Sequence, residues 1–427
     1  GIRGVGKTTL LSQLYFFEKF PSATRGGSDV PADALDERFY ISADRLVSDG
    51  ISLQDFVRYL ESVVWGDLTK NEKKILLLID EIQYDDRWDL FLKLLFDKTK
   101  GNDNILVVAT GSSAIFLNQK NKDLVRRSKS ERVLPEKFTE YLSLHRGFSP
   151  PEELSAALRE AFFAAADARE VFEKIHSLRS EAVSFLSSVK DLSQAEEDYF
   201  LRGSFPFSAE MTSVSQALER IKNMILVNII QRDLVLSGNF DAETLVKIPD
   251  ILFLLANSDE VSTGNLANTL KLHSNTVNKI LKSLVDAEIL YEINPYGQPY
   301  KRIRKSAKYL FVGPAVRSGL LSGVFAADIK GKLPEDCAAL IFTTDLYEKA
   351  NVFYDYGKGG ADFILRFSDN SEVVLEIGLG KGEITQVEKT LKKTAGRARY
   401  GLVIGAQELE LVGEKIVKIP LEYFLLA

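Results

Sequence analysis

Apolar and polar positions change period several times along the chain, and the changes divide it. In the first third, Phe39-Tyr40-Ile41-Ser42 predicts a short strand, and apolar residues from Leu53 to Trp65 recur at helical spacing. Ile75-Leu76-Leu77-Leu78-Ile79 is a continuous apolar run, Trp88 to Phe96 is again helical, and Ile105-Leu106-Val107-Val108-Ala109 is a second run. Continuous apolar strands are those covered on both faces, as in a parallel sheet flanked by helices, so this part reads as α/β. Ser149-Pro150-Pro151 breaks the pattern. Beyond it Leu154 to Val189 is rich in Ala, Glu and Leu without β-branched runs, which predicts helices through about Val235. From Val261, Ser262-Thr263-Gly264-Asn265-Leu266-Ala267 and Leu272-His273-Ser274-Asn275-Thr276-Val277 lead into a helix through Leu284 and a strand at Ile289-Leu290-Tyr291. That order is a helix-turn-helix followed by a wing. Strand signals return at Val352-Phe353-Tyr354, Phe363-Ile364-Leu365, Val373-Val374-Leu375, Tyr400 to Ile404 and Ile416-Val417. The expected organisation is an α/β domain at 1–148, a helical region at 149–245, a winged helix at 246–317 and a second α/β domain at 318–427. Ser22 to Asp36, rich in Gly, Ala and Asp, reads as a loop.

Composition narrows the class. A chain of 427 residues with 45% hydrophobic and 27% charged positions has room for two to four folded domains and is not dominated by disorder. Cys337 is the single cysteine, which excludes an intrachain disulfide and a thiolate zinc cluster and fits a reducing compartment, so a cytoplasmic location is expected. No apolar run approaches the roughly 20 residues of a membrane span, and no membrane role is expected. The net charge of -6 argues against wholesale nucleic-acid binding and leaves room for a local basic face.

The densest chemistry lies at the start. Gly1-Ile2-Arg3-Gly4-Val5-Gly6-Lys7-Thr8-Thr9 fits the phosphate-binding pattern G-x-x-x-x-G-K-[ST]. Gly1, Gly4, Val5 and Gly6 would cradle phosphates with backbone N–H groups, Lys7 would reach the β and γ phosphates of ATP, Thr8 would sit on Mg²⁺, and Thr9 opens a helix whose dipole adds to the anion site. Such a loop follows a buried strand, so an upstream segment carrying the first strand is expected. The apolar run Ile75 to Ile79 ends in Asp80-Glu81-Ile82-Gln83. Asp80 would hold the Mg²⁺ shell and Glu81 would polarise the attacking water. Thr110 or Ser112, at the end of the next strand, is a candidate γ-phosphate sensor, while Ser112 as a helix N-cap is an equal reading. Arg126 and Arg127 could supply the cation that hydrolysis needs, or be solvated charges.

Several of these segments together resemble a family of prokaryotic AAA-like ATPases with a C-terminal domain of unknown function. They are Leu77 to Gln83, Ala109 to Ser113, Arg127, and Leu134-Pro135 before Phe138-Thr139-Glu140-Tyr141-Leu142. Tyr199 to Pro206 looks like the family's Leu-Arg-Gly-Gly-Phe-Pro segment, and Gln231-Arg232-Asp233 like its helical Arg-Asp step. Lys308 to Phe311 and Ile419 to Leu426 are also similar, so the resemblance covers nearly the whole chain. It implies that Lys7, Thr8, Asp80, Glu81 and Gln83 fall on the ATPase motifs and Arg127 on a Gly-Arg position, with Arg126 in place of the glycine. It also implies a restriction-endonuclease-like tail.

Two further sites complete the expectations. In the winged helix, Asn275, Asn278, Lys279 and Lys282 form the polar side of the recognition helix, and Lys301, Arg302, Arg304, Lys305 and Lys308 cluster after it. They could contact DNA phosphates or be a solvated strand edge. In the tail, Asp362 and Glu376, with Glu335 on a preceding helix, have the residue types of a Mg²⁺-dependent nuclease, but glycine stands at 378 where its lysine belongs, so either Lys381 substitutes through the Gly-rich loop or the site is the vestige of a nuclease fold that no longer cleaves. Three functions are thus in contention: an ATPase acting on a DNA or protein partner, a nucleotide-dependent regulatory protein without turnover, and an ATP-dependent DNA nuclease.

Overall fold

A computed structural model describes residues 2–17, 19–20, 30–31, 35–111, 124, 126–227, 234, 240–258, 261–297, 305–325 and 327–427. Of the expected site residues, Gly1, Ser112, Arg302 and Arg304 lie outside these, as do Lys301 and Gln231-Arg232-Asp233. The chain forms two compact units, Gly1–Val133 and Leu134–Ala427.

Unit one is built on a three-stranded parallel sheet, β1 (Glu37–Ser42), β2 (Ile75–Asp80) and β3 (Ile105–Ala109), in that order. Helix α1 (Lys7–Phe16) precedes it, α2 (Ala43–Ser48) and α3 (Leu53–Leu60) join β1 to β2, and α4 (Trp88–Thr99) joins β2 to β3. Alternate side chains of a strand point to opposite faces. Leu76 and Leu78 accordingly pack with Leu11 of α1, and Ile75, Leu77 and Ile79 pack with Val57, Trp65 and Phe91. Every residue of β2 is buried, which explains its unbroken apolar run, and each such aliphatic side chain contributes about 1.5–3 kcal/mol by leaving water. The second apolar run behaves differently. Among the described residues β3 is an edge strand and Leu106 is 56% exposed, so the expectation of cover on both faces is corrected there.

Unit two opens with α5 (Glu152–Phe163), α6 (Ala168–Ser188), α7 (Leu192–Asp198) and α8 (Val214–Asn223). There follow α9 (Ala242–Asn257), α10 (Thr263–Leu270), α11 (Ser274–Asp286) and an antiparallel hairpin, β4 (Leu290–Pro295) and β5 (Lys308–Phe311). The chain continues through α12 (Pro314–Leu320), α13 (Leu333–Asp345), β6 (Ala350–Tyr354), β7 (Phe363–Phe367), β8 (Glu372–Ile377), α14 (Thr385–Lys393), β9 (Ala398–Ile404), β10 (Glu410–Val412) and β11 (Ile416–Ile419). These strands make one sheet of order β10-β11-β9-β8-β7-β6-β4-β5. The hairpin expected as a wing is thus continuous with the C-terminal strands, through parallel pairing of Asn294 with Phe353 and Pro295 with Tyr354.

The boundary expected at 148 falls inside this unit. Phe138 packs edge-on against Tyr199 at 5.3 Å between ring centroids, the Glu136 N–H donates to the Ser204 carbonyl at 2.8 Å, and the Tyr199 hydroxyl donates to the Glu136 carbonyl at 3.1 Å. Aromatic burial of this kind binds 134–148 to the helices that follow. Among the described residues no helix is long and apolar enough to cross a membrane.

The most deeply buried ion pair lies where α9, β5, α12 and α13 meet. Arg317 of α12 and Asp336 of α13 are 2% and 0% exposed, with Nε and NH2 donating to the two carboxylate oxygens at 2.6 and 3.0 Å. NH1 donates to the carbonyls of Leu255 and Ala256 at the end of α9, at 3.3 and 2.9 Å, and the Phe311 N–H donates to Asp336 Oδ1 at 2.9 Å. Removing one partner leaves an uncompensated buried charge. Arg317→Ala is therefore expected to destabilise unit two by about 3–5 kcal/mol, measured by urea unfolding of the full chain; a loss below about 1 kcal/mol would show that the pair is not structural.

Candidate functional site

The loop before α1 takes the shape a phosphate cradle needs. Gly4 and Gly6 have φ of 80° and 88°, a left-handed conformation that costs a residue with a side chain but not glycine, and Gly6 is the N-cap of α1. Lys7 is 9% exposed and its ammonium donates to the Ile2 carbonyl at 2.6 Å. Val5 is buried, which anchors the loop, whereas Gly4, Thr8 and Thr9 are exposed.

Asp80, at the C-terminal end of β2, organises the rest. Its Oδ2 accepts from the Thr8 hydroxyl at 2.7 Å and from the Tyr40 hydroxyl at 2.9 Å, and its Oδ1 accepts from the Thr110 hydroxyl at 2.5 Å and the Glu81 N–H at 3.0 Å. Parallel pairing sets the positions: Ser42 lies opposite Asp80 and Ala109 opposite Ile79, so residues at the ends of all three strands meet at one edge of the sheet. Burial, reinforced by the bond to Asp80, raises the Tyr40 phenol to about 12, which keeps it a donor. Thr8 and Asp80, expected to share a Mg²⁺ shell, are in direct contact, and an alcohol beside a carboxylate is the hard-oxygen set that Mg²⁺ takes.

Glu81 sits in the left-handed region at φ 53° and ψ 42°, unusual for a residue with a side chain. Such strain recurs at functional sites and persists only where neighbours hold it. Here the next N–H, of Ile82, donates to the Thr110 carbonyl at 2.9 Å. The Glu81 carboxylate accepts from the Gln83 amide and lies 4.0 Å from the Arg3 guanidinium. Gln83 Oε1 is buried without a hydrogen-bond partner among the described residues.

Arg127 is placed elsewhere. Its guanidinium donates to Asp97 at 2.9 and 3.3 Å, and Asp97 lies in the last turn of α4, about 13 Å along the helix from the end that follows Glu81. The expected catalytic arginine is thus engaged away from the strand ends, and Arg3 is the cation that the fold brings to Glu81. Arg126 is exposed. Tyr40 and Arg3 were not legible as site residues: Arg3 occupies a variable position of the loop motif, and Tyr40 reaches Asp80 only through strand pairing.

In unit two, Asn275, Asn278, Lys279 and Lys282 are all exposed on α11, while Val277, Ile280, Leu281 and Leu284 are buried, so the helix presents one polar stripe. Lys308, expected with the basic wing, is instead partly buried among carboxylates, 2.5 Å from Glu335 and 3.5 Å from Asp362. Lys332 meets Glu335 at 2.7 Å. Burial opposes the ionisation of Glu335, yet Lys308 and Lys332 outweigh it and hold its carboxyl below the usual range. Burial and the charge of Glu335 push the Asp362 carboxyl up against the pull of Lys308. The Asp362 N–H donates to Glu376 Oε2 at 3.0 Å, and Lys381 reaches Glu376 Oε1 at 2.5 Å. A Cβ at Gly378 would stand 2.8 Å from Lys381 Cε, so the stem of Lys381 fills the space above the bare glycine. Glu335, Asp362 and Glu376 are brought together, but through lysines. Among the described residues no group of three or more His, Cys, Asp or Glu side chains is placed to hold a metal ion.

Residues 1–142 match the AAA domain family, and residues 193–326 match a domain of unknown function, DUF8612. With the loop and strand-end geometry above, unit one is an ATP-binding domain of the AAA P-loop class. The chain is 34% identical over 434 residues to an uncharacterised protein of Methanocaldococcus jannaschii, MJ1637, covering 100% of this chain and 83% of that protein. It belongs to the same family as MJ1637. A second uncharacterised protein of that organism, MJ1544, is 24% identical over 387 residues, covering 88% of this chain and 72% of its own. Among solved structures, the Walker-type ATPase PABY2304 of Pyrococcus abyssi aligns with a TM-score of 0.42 and 15% identity, over 75% of this chain and 89% of that one.

Asp80→Asn keeps the shape of the hub and removes its charge. ATP binding measured with Mg²⁺ and with EDTA should then show no Mg²⁺-dependent tightening, whereas Tyr40→Phe should retain that tightening and cost about 1 kcal/mol of stability. Unchanged Mg²⁺ dependence in Asp80→Asn would remove Asp80 from the metal site.

Proposed function

We propose that this protein is a Mg²⁺-dependent ATPase whose nucleotide state drives rearrangement on a DNA or protein partner. The observation that carries the reading is the arrangement around Asp80: a hydroxyl from the phosphate loop, a hydroxyl from the neighbouring strand and the strained Glu81 all meet one carboxylate. Thr8 and Asp80 would hold Mg²⁺, which when bound offsets charge on the phosphates. Lys7 and the loop N–H groups bind the phosphates. Glu81 accepts a proton from the attacking water, and the unpaired Gln83 Oε1 is an acceptor that can orient that water. The exposed polar stripe of α11 supports DNA as the partner, reached through the winged-helix elements. The lysine pairing of Glu335 and Glu376 supports a tail that does not cleave.

The test is multiple-turnover phosphate release by the full chain, with and without DNA. Lys7→Ala and Glu81→Gln should each lower turnover by about 10²-fold or more, with Glu81→Gln retaining ATP binding. Binding without turnover under all conditions would leave the non-hydrolysing regulatory reading in its place. Plasmid incubated with the protein and Mg²⁺ should remain supercoiled; nicking abolished by Asp362→Ala would establish the nuclease reading instead.

A further inference from the structure

A cavity of about 760 Å³ opens within unit two beside the lysine and carboxylate cluster. Its walls are the first turn of α10, the segment Lys305 to Lys308 leading into β5, and the turn from Tyr356 to Ala361 that follows β6. Asp355 and Ala361 are buried, while Lys305, Tyr356 and Lys358 are exposed.

The charges that line the cavity fall into two sets. Lys308 and Lys332 share Glu335, Lys308 also lies 3.5 Å from the lining carboxylate Asp362, and Asp355 is held by Lys393 at 2.5 Å and by the Thr390 hydroxyl at 2.7 Å, so these charges are locally balanced. Lys305 and Lys358 have no ion-pair partner among the described residues, and Lys305 Nζ lies 5.3 Å from the Tyr356 ring centroid. The turn that carries Lys358 is pinned: Gly357 donates its N–H to Asp355 Oδ1 at 3.0 Å, Lys389 donates to the Lys358 carbonyl, and Asp355 leaves no room for a Cβ at Gly360. Among the described residues, two lysines without carboxylate partners therefore stand beside an exposed tyrosine, Lys358 on a held backbone. The cavity lies in the size range of small-ligand sites. Ammonium groups recognise phosphate and tyrosine faces stack on bases.

We propose that this cavity binds one nucleotide unit, its phosphate against Lys305 and Lys358 and its base against Tyr356. A free mononucleotide and the terminal nucleotide of a single strand share this chemistry. The site is separate from the phosphate loop of unit one and does not depend on ATP turnover.

The test uses the full chain carrying Lys7→Ala, so that the phosphate loop contributes no nucleotide binding. Fluorescence anisotropy is read with labelled AMP and with a labelled single-stranded oligothymidylate over a range of salt, with inorganic pyrophosphate as competitor. At least one probe should bind and be displaced by pyrophosphate. Adding Lys305→Glu and Lys358→Glu should weaken it by about tenfold or more and lower the logarithmic salt slope by about two. Tyr356→Ala should weaken it with the slope unchanged. Binding of AMP alone assigns a free nucleotide, and binding of the oligonucleotide assigns a strand end. No binding of either probe overturns the proposal, as does an affinity that both sets of variants leave unaltered while their thermal melts match the parent. Both lysines are exposed, so their replacement tests binding without removing core packing.

Discussion

The second unit depends on a guanidinium that cannot reach water. Arg317 is surrounded by α9, β5, α12 and α13, and its five N–H donors have to be satisfied within the protein. Asp336 takes two of the contacts, and its Oδ1 also accepts from the backbone of β5, so one buried pair sets the start of α13 against the edge strand of the sheet. The next residue back, Glu335, inherits that position. It holds Lys308 and Lys332 to the side of the cavity, and their pairing there leaves Lys305 and Lys358 as its unbalanced cations among the described residues. A buried ion pair contributes little net stability over a well-packed apolar alternative, but it is intolerant of losing one partner.

In the first unit the corresponding role belongs to Asp80, and the constraint is geometric. Parallel strands end together, so a carboxylate closing the central strand is within reach of groups from both neighbours and from the first turn of α1. Four donors converge on its two oxygens, and this arrangement explains why the following residue can be held in a left-handed conformation. The arginine near Glu81 comes from within the phosphate loop itself, while Arg127 is committed to Asp97.

Much of this was legible in the chain. The glycine spacing of the loop, the apolar run ending in Asp80-Glu81, the amphipathic period of α11 and the strand positions in the last hundred residues all follow from local rules, because each depends on neighbours close in sequence. Other features were not. Tyr40 gave no sign of its contact with Asp80, Lys308 read as part of an open basic edge and proved partly buried among carboxylates, and Leu106 sat in an apolar run yet lies on an edge strand among the described residues. Each depends on which strand pairs with which, and a single residue carries no trace of its partner across a sheet.

The sequence by itself determined that the chain carries a phosphate loop and a strand-end carboxylate pair, because these are defined by residue type at short spacing. Only the tertiary structure decided which groups share Asp80 and that Lys381 stands over Gly378 to reach Glu376. It alone joined the wing hairpin to the C-terminal strands in one sheet. The physical reason is that electrostatic pairing and burial depend on distance in space. Residues dozens to hundreds of positions apart, such as Thr8 and Asp80 or Lys137 and Asp345, become neighbours only when strands and helices pack.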